Sequence, residues 1–520
     1  MRFTEYFYWH VQTRPDVVCM EDEERQITYA EADRVSNRIA NALALYGSQA
    51  RVALLADAST AVLLLDLGLT KANCVMVPLN TRLSPAEWKH IVEHSGAQVV
   101  IAGENYCGAI EAVADQLPGV RRWVSIGKAS QARWEPLNAL IESAPDGPGV
   151  YPARGDDVAL QAYTSGTTGL PKGVLCSHDR QTFRLTQFAQ AVHPWNGLHG
   201  EALIAAPLFH PLPLAMWRTV TIWGGAVQTL AKFDADAVLD IAASRDVSWT
   251  FVVPSMISML LERAESRSAT DYRFNVIMYG GSPISEPTLR AALERFRCNF
   301  IQAYGLTEAG LLTTLCPDDH VRALDGRPDL LRSVGKPTAG VRMRIDPIGH
   351  DSLLGVAAHD GLPSHTVGEI VASSPDLMLE YHNNPEATAA MLVDGEIRSG
   401  DAGYVDEEGY FYVADRVKDI VVSGGENIVS LEVEEVLMSH AAVAEAAVVA
   451  VPDARWGEAV AAVVVLEPGH ALTSDELREH CRAHIAAFKA PKLIEFRDQL
   501  PRNAMGKVLK SDLRRDLARN

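Results

Sequence analysis

The sequence predicts an α/β protein: a large amino-terminal part with doubly wound sheets plus a small β-rich subdomain, followed by a small α+β domain. Three observations lead to this fold class. Short apolar runs alternate with amphipathic segments in the first hundred residues, the alternation returns after residue 200, and the chain changes character from about residue 415 onward. Strands that alternate with helices are typical of parallel sheets with helices on both faces.

The first alternation lies in the first hundred residues. The predicted strands are 51–56, 75–79 and 98–102, and the helices between them are 60–69 and 86–94. Ligands of such sheets bind beyond the carboxyl ends of the strands, so we expect functional side chains in the segments that follow strands.

The second alternation supplies another sheet of the same kind. Its predicted strands are LIAAP, AVQTL, WTFVVP, NVIMYGG and NFIQAYG, and its helices run through Trp217, from Asp236, to Glu265 and from Ser285. Residues 325–375 hold many Gly and Pro residues and short β-like pieces such as VRMRI and GEIVAS, which predict the small β-rich subdomain.

The last hundred residues predict the small α+β domain. They contain a helix near Glu432, the strands VAEAAVVAV and AVAAVVVL, a helix from Ser474, and a tail that carries Gly and Lys.

Composition excludes several classes of protein. A chain of 520 residues with 48% hydrophobic content is long enough for more than one hydrophobic core. Its formal charge of -19 would repel a polyanion, so nucleic acid is not an expected partner. The best apolar stretch is interrupted by Asp57 and Asp66, and the start has no basic segment before an apolar run, so neither a membrane span nor a signal peptide is predicted.

Seven cysteines lie far apart, without a CxxC pair. An odd number of scattered cysteines is typical of reduced thiols in a cytoplasmic protein, and we expect neither a disulfide framework nor a zinc site.

The most informative motif is YTSGTTGLPKGV, from Tyr163 to Val174. Gly lets backbone N–H groups approach a phosphate closely, and the hydroxyls and Lys172 add donors and positive charge. The spacing differs from GxxxxGK[ST], so this is not the usual P-loop. A plain surface turn rarely combines four Ser or Thr hydroxyls, three glycines and a lysine, which favours a phosphate-binding segment.

Four further motifs follow in the chain: AYGLTE (303–308), SGD (399–401), DRVKDIVVSGGENI (415–428) and PRNAMGK (501–507). With the phosphate motif, they resemble, in the same order, the motifs of the adenylate-forming superfamily, in its acyl-CoA synthetase branch. Five motifs in the right order are far more specific than one. The resemblance covers nearly the whole chain and implies an acid–thiol ligase that uses ATP, Mg²⁺ and coenzyme A.

The resemblance also implies roles for individual residues. The implied catalytic residues are Lys507, Thr164, Glu308 and His210, and the residues implied to bind the metal are Glu308 and Thr164. The implied hinge residue is Lys418, and the residues implied to contact CoA are Ser423, Gly424 and Gly425. The residues implied to bind ATP and AMP are Thr164, Ser165, Gly166, Thr167, Thr168, Lys172, Gly281, Ser282, Pro283, Ala303, Tyr304, Gly305, Thr307, Asp401 and Arg416. The implied domains are an AMP-binding domain over 1–416 and a mobile domain over 417–520 that carries Lys507.

Several of these residues have an ordinary reading when taken alone. Glu308 is typical of a helix start, Asp401 of a turn, Tyr304 of a core aromatic, and Lys507 of a solvated tail. The sequence also departs from the family pattern. Asn503 and Met505 in the last motif leave Lys507 in register, and Glu380 and Glu396 before the hinge stand at positions that do not contact substrate in the family pattern.

The acid is predicted to be an apolar monocarboxylate, either aryl or medium-chain. The segments that resemble the family's acyl pocket are mainly apolar, and apolar walls suit an apolar tail. A dicarboxylate would need a pocket cation, for which Arg218 is the nearby candidate, although its helical position is equally compatible with solvent. The pocket residues are Phe209, His210, Leu212, Met216, Tyr279, Gly280, Leu311 and Leu312.

Two acceptors remain open. CoA is favoured because GGENI resembles the loop of CoA ligases and because no carrier domain precedes Asn520. The alternative is an acyl-AMP ligase that loads the phosphopantetheine of a carrier protein. A luciferase-like oxidation has no sequence signal. We expect a monomer or a homodimer.

Overall fold

In a computed structural model, the described residues are 2–517 apart from 129–130, 150, 165–170, 199, 268–270, 349–360, 424–425, 454 and 503–507. The chain divides into two compact units. The first comprises Met1–Arg342 and Ser373–Ile397, and the second comprises Met343–Ala372 and Arg398–Asn520.

The described strands are, in chain order, β1 (Val18–Glu21), β2 (Gln26–Thr28), β3 (Arg51–Leu55), β4 (Val75–Pro78), β5 (Val99–Gly103), β6 (Arg122–Ile126), β7 (Trp134–Pro136), β8 (Val158–Thr164), β9 (Lys172–Ser177), β10 (Glu201–Ile204), β11 (Ala226–Thr229), β12 (Val247–Val252), β13 (Phe274–Gly280), β14 (Asn299–Leu306), β15 (Gly310–Leu315), β16 (Lys336–Pro337), β17 (Arg342–Asp346), β18 (Gly368–Ser373), β19 (Leu392–Val393), β20 (Glu396–Val405), β21 (Phe411–Arg416), β22 (Val421–Ser423), β23 (Glu426–Ile428), β24 (Val443–Asp453), β25 (Gly457–Leu466) and β26 (Leu493–Phe496).

The described α-helices are α1 (Phe3–Thr13), α2 (Tyr29–Leu43), α3 (Thr60–Lys71), α4 (Pro85–Ser95), α5 (Glu104–Ala114), α6 (Leu137–Glu142), α7 (His178–Val192), α8 (Pro211–Ile222), α9 (Ala235–Ser244), α10 (Pro254–Glu265), α11 (Glu286–Phe296), α12 (Pro317–Leu324), α13 (Pro385–Met391), α14 (Ser430–Met438), α15 (Ser474–His484) and α16 (Lys510–Leu517). Short 3-10 helices include Val417–Asp419.

The first unit contains two sheets. One has seven strands in the order β7-β6-β5-β3-β4-β8-β9 and is parallel except for the final β8–β9 hairpin. Its core includes Leu55, Val77 and Val100 from three neighbouring strands, with Trp88 of α4 packed against them. The strand–helix alternation of residues 51–102 is therefore confirmed.

The other sheet has nine strands in the order β16-β15-β14-β13-β12-β10-β11-β1-β2. The six strands from β14 to β1 run parallel, and the outer strands are antiparallel. All six residues of β12 are buried, as expected for a strand covered on both faces. Because β10, β12, β13 and β14 are parallel neighbours, their carboxyl ends lie along one edge, where a doubly wound sheet binds its ligand.

Local sequence explains many helix ends in this unit. In α4, Ser84 and Glu87 form a capping box, Pro85 is the first helical residue, and Gly96 ends the helix with φ 70°. Helix α3 is buried along nearly its whole length. Gly68 allows its close approach to α2, because an added Cβ would lie 2.5 Å from the Ile39 side chain.

The second unit holds two smaller sheets. Strand β21 pairs antiparallel with β20, next to β18 and β17. The other sheet has the order β23-β22-β25-β24, with β26 parallel to β25. Helices α14 and α15 share one hydrophobic core with this sheet, and α16 packs on its other face through Leu513 and Leu517. The predicted strands and helices beyond residue 430 are confirmed, as is the fold class.

Sequence periodicity did not reveal the β8–β9 hairpin. Glu308 by itself suggests a helix start, but residues 307–309 form the turn of the β14–β15 hairpin. None of the described helices is both long enough and apolar enough to span a bilayer.

Candidate active site

The phosphate motif lies on the β8–β9 hairpin. Thr164 ends β8 and is paired with Lys172, the first residue of β9. The strands thus bring the first hydroxyl and the cation of the motif opposite each other, although seven residues separate them in the sequence. The predicted nucleotide residues Ser165, Gly166, Thr167 and Thr168 lie outside the described residues.

Glu308 lies at the carboxyl end of β14, in the turn before β15. Its side chain is buried, with 8% relative exposure. One carboxylate oxygen, Oε1, accepts a 2.8 Å hydrogen bond from the Tyr381 hydroxyl, and the Glu308 carbonyl accepts a 2.6 Å hydrogen bond from the backbone N–H of Met378. A buried carboxylate is thereby held at the edge of the nine-stranded sheet.

Tyr381 connects this carboxylate with the phosphate hairpin. The Lys172 ammonium nitrogen lies 4.9 Å from the centre of the Tyr381 ring, within range of a cation–π interaction. Burial and the nearby Glu308 carboxylate raise the pKa of Tyr381 far above its usual range, so the hydroxyl remains a donor. Sequence reasoning missed Tyr381, because neither Glu308 nor Lys172 is near it in the chain.

A second group of residues predicted to bind ATP and AMP lies at the ends of two neighbouring strands, β13 and β14. Gly280 of β13 is paired with Ala303 of β14, and a Cβ at Gly280 would lie 2.1 Å from the Ala303 carbonyl oxygen. Gly281 follows with φ 83°, a conformation that favours glycine. Residues 281–283 are exposed beyond the strand, and Tyr304 is half-buried. Gly305 and Thr307 lie at the end of β14, next to Glu308.

The predicted acyl-pocket residues belong to the same nine-stranded sheet and to α8, which follows β10. Phe209 and His210 lie before α8, with ring centres 4.5 Å apart, and His210 is exposed. Phe209 and Leu212 are half-buried, whereas the five remaining members are buried. These buried members are Met216, Tyr279, Gly280, Leu311 and Leu312.

The hydroxyl of Tyr279 contacts a buried histidine. Its hydroxyl oxygen lies 3.0 Å from Nε2 of His320 on α12, and both side chains are buried. Burial lowers the pKa of His320 to about 4, so the imidazole is neutral at physiological pH and this pair carries no charge.

Arg218 is not a solvent-facing residue. It is 3% exposed, and its guanidinium Nε donates a 2.8 Å hydrogen bond to Asp66, with a second contact between the two groups and one to Gln181. The helical position left the direction of this side chain open, and the structure places it in a buried ion pair. The carboxylate of Asp66 thus compensates the charge of Arg218.

In the second unit, two residues predicted to bind ATP and AMP, Asp401 and Arg416, come together. Asp401 of β20 is paired with Arg416 of β21, and their charged groups are 2.9 Å apart. The Asp401 side chain is buried, whereas that of Arg416 is half exposed. Gly400 has φ 69° within β20, a conformation that favours glycine, and the Ser399 hydroxyl accepts a 3.0 Å hydrogen bond from the Asp401 N–H.

The predicted hinge residue Lys418 lies exposed in the short 3-10 helix after β21. Asp415, before it, accepts hydrogen bonds from the N–H (2.7 Å) and hydroxyl of Ser430, and Asp419, after it, contacts Arg514. Both flanking carboxylates are therefore tied to helices of the carboxyl-terminal sheet.

Of the predicted CoA contacts, Ser423 ends β22, while Gly424 and Gly425 lie outside the described residues. The predicted catalytic residue Lys507 also lies outside the described residues. Arg502 and Val508, on either side of its segment, form an antiparallel bridge.

The first unit holds two sheets with predicted nucleotide-binding residues at strand ends, and a buried carboxylate and a lysine that contact the same tyrosine. The second unit holds the Asp401–Arg416 pair, and these features suit an α/β enzyme of the nucleotide-binding class. The family model described as AMP-binding enzyme matches residues 7–382, and the one described as AMP-binding enzyme C-terminal domain matches residues 432–507. The chain belongs to the AMP-binding enzymes. The superfamily predicted from the motifs is confirmed, and with it the class of AMP-forming acyl ligases.

Known relatives cover nearly the whole chain. The fatty acid–[acyl-carrier-protein] ligase ScoC of Streptomyces coeruleorubidus is 37% identical over 98% of this chain and 95% of its own length. Feruloyl-CoA synthase of Amycolatopsis sp is 36% identical over 94% of both chains. Among solved structures, the amide bond synthetase McbA of Marinactinospora thermotolerans has a TM-score of 0.82 at 27% identity, covering 99% of each chain.

Proposed function

We propose that the protein is a carboxylic acid–CoA ligase for an apolar monocarboxylate, either aryl or medium-chain. In the first step, a carboxylate oxygen of the acid attacks the α-phosphorus of ATP, and pyrophosphate leaves with the electrons of the broken P–O bond. In the second, the CoA sulfur attacks the acyl carbon, the thiol proton is released, and AMP leaves.

The observation that carries this proposal is the group formed by Lys172, Tyr381 and Glu308. A cation from a glycine- and hydroxyl-rich hairpin and a buried carboxylate from a parallel strand end are linked through one side chain. This combination suits a polyphosphate with its metal ion, because an ammonium group binds phosphate oxygens and a carboxylate binds the metal ion. Thr164, opposite Lys172, adds a hydroxyl.

Magnesium fits the donor set. Mg²⁺ prefers hard oxygen ligands and usually binds through one or two carboxylates together with substrate phosphates and water. Glu308 supplies one carboxylate, of which one oxygen accepts the tyrosine hydrogen bond, and Thr164 supplies a hydroxyl oxygen. When bound, the ion would neutralise phosphate charge as pyrophosphate leaves.

The acid is proposed to lack a second charge. Arg218, the candidate cation that the sequence offers for the acyl pocket, is already paired with Asp66 inside the protein. If Arg218 paired with a second carboxylate of the substrate instead, the buried Asp66 carboxylate would lose its partner. An unpaired buried charge costs several kcal/mol of free energy. The predicted pocket side chains are mainly apolar and therefore favour an apolar tail.

The remaining roles are proposed from the family motifs. Asp401 binds the ribose hydroxyls next to Arg416, and Lys507 neutralises the carboxylate and α-phosphate oxygens during adenylation. Lys418 is the hinge between an AMP-binding domain, 1–416, and a mobile domain, 417–520, and Ser423, Gly424 and Gly425 line the path of CoA. His210, exposed at the start of α8, acts at the entry of the thiol.

A second acceptor has support of its own, because the relative ScoC is a fatty acid–[acyl-carrier-protein] ligase. The same acyl-adenylate would then react with the phosphopantetheine thiol of a carrier protein. We propose CoA as the acceptor, on the resemblance of the GGENI segment to the loop of CoA ligases. The seven free cysteines agree with a cytoplasmic enzyme, which we propose to be a monomer or a homodimer.

An acid panel tests the proposal. Purified protein is incubated with MgATP and aryl, medium-chain or dicarboxylic acids, and pyrophosphate and thioester are measured with CoA, with a phosphopantetheinylated carrier protein, or with neither. We expect acid-dependent AMP formation and acyl-CoA from an apolar monocarboxylate. A dicarboxylate as the best substrate would refute the acid class, and product formed only on the carrier protein would refute the acceptor.

A further inference from the structure

The segment 376–384, termed here the strap, joins the two sheets of the first unit. Asp376, at its start, forms a buried ion pair with Arg184 of α7, with 2.6 Å between Nε and Oδ2. The strap then runs beside β9, where the N–H groups of Leu379 and His382 donate to the carbonyls of Leu175 and Gly173 at 2.8 Å each. The strap is thus held against the strand that begins with Lys172.

The strap also holds the turn that carries Glu308. The backbone N–H of Met378 donates to the Glu308 carbonyl at 2.6 Å, and three residues later the Tyr381 side chain reaches the Glu308 carboxylate. The Tyr381 N–H donates to the Thr388 hydroxyl of α13 at 2.9 Å, which fixes the backbone at this residue. The strap therefore holds Glu308 at two points, its carbonyl through the Met378 N–H and its carboxylate through the Tyr381 hydroxyl.

The Tyr381 hydroxyl has two neighbours, Glu308 Oε1 and Met391 Sδ, each at 2.8 Å. A tyrosine hydroxyl has one hydrogen to donate, and a thioether sulfur is a weak acceptor. The hydrogen therefore goes to the carboxylate, as a charge-assisted hydrogen bond, which is stronger than a bond between neutral groups. The side chain of Tyr381 is 4% exposed, so water does not compete readily.

The ring of the same residue lies under the Lys172 ammonium group at 4.9 Å. One rigid side chain thus contacts both charged groups of the predicted MgATP site, the carboxylate through its hydroxyl and the ammonium through its face. Without the hydroxyl, the Glu308 carboxylate would rotate about its terminal torsion, which has a broad and soft energy profile.

We propose that Tyr381 is a positioning residue that fixes the Glu308 carboxylate and the Lys172 ammonium relative to each other and thereby sets the magnesium dependence of ATP binding. The proposal rests on the assignment of Glu308 to the metal in the proposed function. Tyr381 itself does not react.

The test is an equilibrium measurement that involves no chemistry. Binding of an ATP analogue with a methylene bridge between the α- and β-phosphates is titrated with Mg²⁺ in wild-type protein and in Tyr381→Phe. We expect the magnesium concentration for half-maximal binding to rise about tenfold in the variant, equivalent to about 1.4 kcal/mol. Affinity for the magnesium-free analogue stays within about twofold, because the ring under Lys172 is retained.

Two control variants separate positioning from a general loss of packing. Met391→Leu removes the other neighbour of the same hydroxyl. Tyr29→Phe removes a buried hydroxyl, away from the strap, that lies 2.8 and 2.9 Å from the carbonyl oxygens of Thr221 and Gly225. Both are expected to keep the wild-type magnesium dependence, even where the melting temperature falls. An equal shift in Tyr29→Phe would refute the proposal.

A double-mutant cycle then tests the route through Glu308. In a Glu308→Gln background, Tyr381→Phe should change the magnesium dependence by less than about twofold, since residues that act through one contact are not additive. Independent, additive effects would overturn the proposal, as would an unchanged magnesium dependence in Tyr381→Phe alone. Because the analogue is not adenylated, failure of the acid panel leaves this result interpretable, and the two failures are distinguishable.

Discussion

Glu308→Gln tests the centre of the proposed site. The substitution keeps the size and shape of the side chain and removes its negative charge. In the wild type, Oε1 accepts the hydrogen of Tyr381, so an amide in this place is expected to turn its carbonyl oxygen toward the hydroxyl. Its NH₂ group then occupies the position of the second oxygen, and a hydrogen-bond donor replaces the proposed ligand of the metal ion.

The magnitude follows from the loss of a preorganised electrostatic contact. Removing one such contact in other enzymes lowers the rate about 10²- to 10³-fold, or about 3 to 4 kcal/mol of transition-state stabilisation. Glu308 is only 8% exposed, so solvent screening should not reduce the effect greatly. We therefore expect adenylation to fall by at least a hundredfold, while the fold remains intact because the Tyr381 hydrogen bond is retained.

The assay is acid-dependent exchange of pyrophosphate into ATP across a range of magnesium concentrations. Glu201→Gln is a suitable control, since Glu201 begins β10 at the opposite edge of the same sheet and pairs with Arg245 at 3.3 Å. The control should retain wild-type exchange. A Glu308→Gln variant with normal exchange at limiting magnesium would refute the role of this carboxylate.

Three further predictions address the carboxyl-terminal residues and the buried histidines. Lys507→Ala should lower acyl-adenylate formation at least about a hundredfold yet spare thioester formation from supplied acyl-AMP; equal losses in both half-reactions would assign Lys507 a structural role. Lys418→Pro fixes one backbone orientation, so acyl-AMP should still form while acyl-CoA production collapses, and a normal rate of acyl-CoA formation would place the pivot elsewhere. Burial lowers the pKa values of His178 and His320 to about 4, so the unfolded chain binds more protons between about pH 6.5 and pH 4. Stability should fall as the pH is lowered through this range, and melting curves should show a smaller decrease for His320→Gln than for the wild type.

The alternation of strands and helices could be predicted because its signals are local. Buried parallel strands are short apolar runs, and amphipathic helices repeat their apolar residues every three or four positions, so residues 51–102 and 201–306 identify their own secondary structure. Ordered motifs also suffice for the family, since glycines, hydroxyls and charges stay in fixed spacing wherever the chain must approach phosphate. The order of strands within the two sheets is not written in any such local pattern.

The contacts that organise the site are long-range, and they were decided by tertiary structure. Tyr381 meets Glu308 across 73 residues, and Arg218 meets Asp66 across 152, which no periodicity can show. The physical reason differs in the two cases. Arg218 contacts Asp66 because a buried charge requires a partner of opposite charge. Tyr381 reaches Glu308 because its strap is hydrogen-bonded both to β9 and to the turn after β14. The sequence by itself determined which residue types the chemistry has available, and the packing of two sheets determined which of them meet.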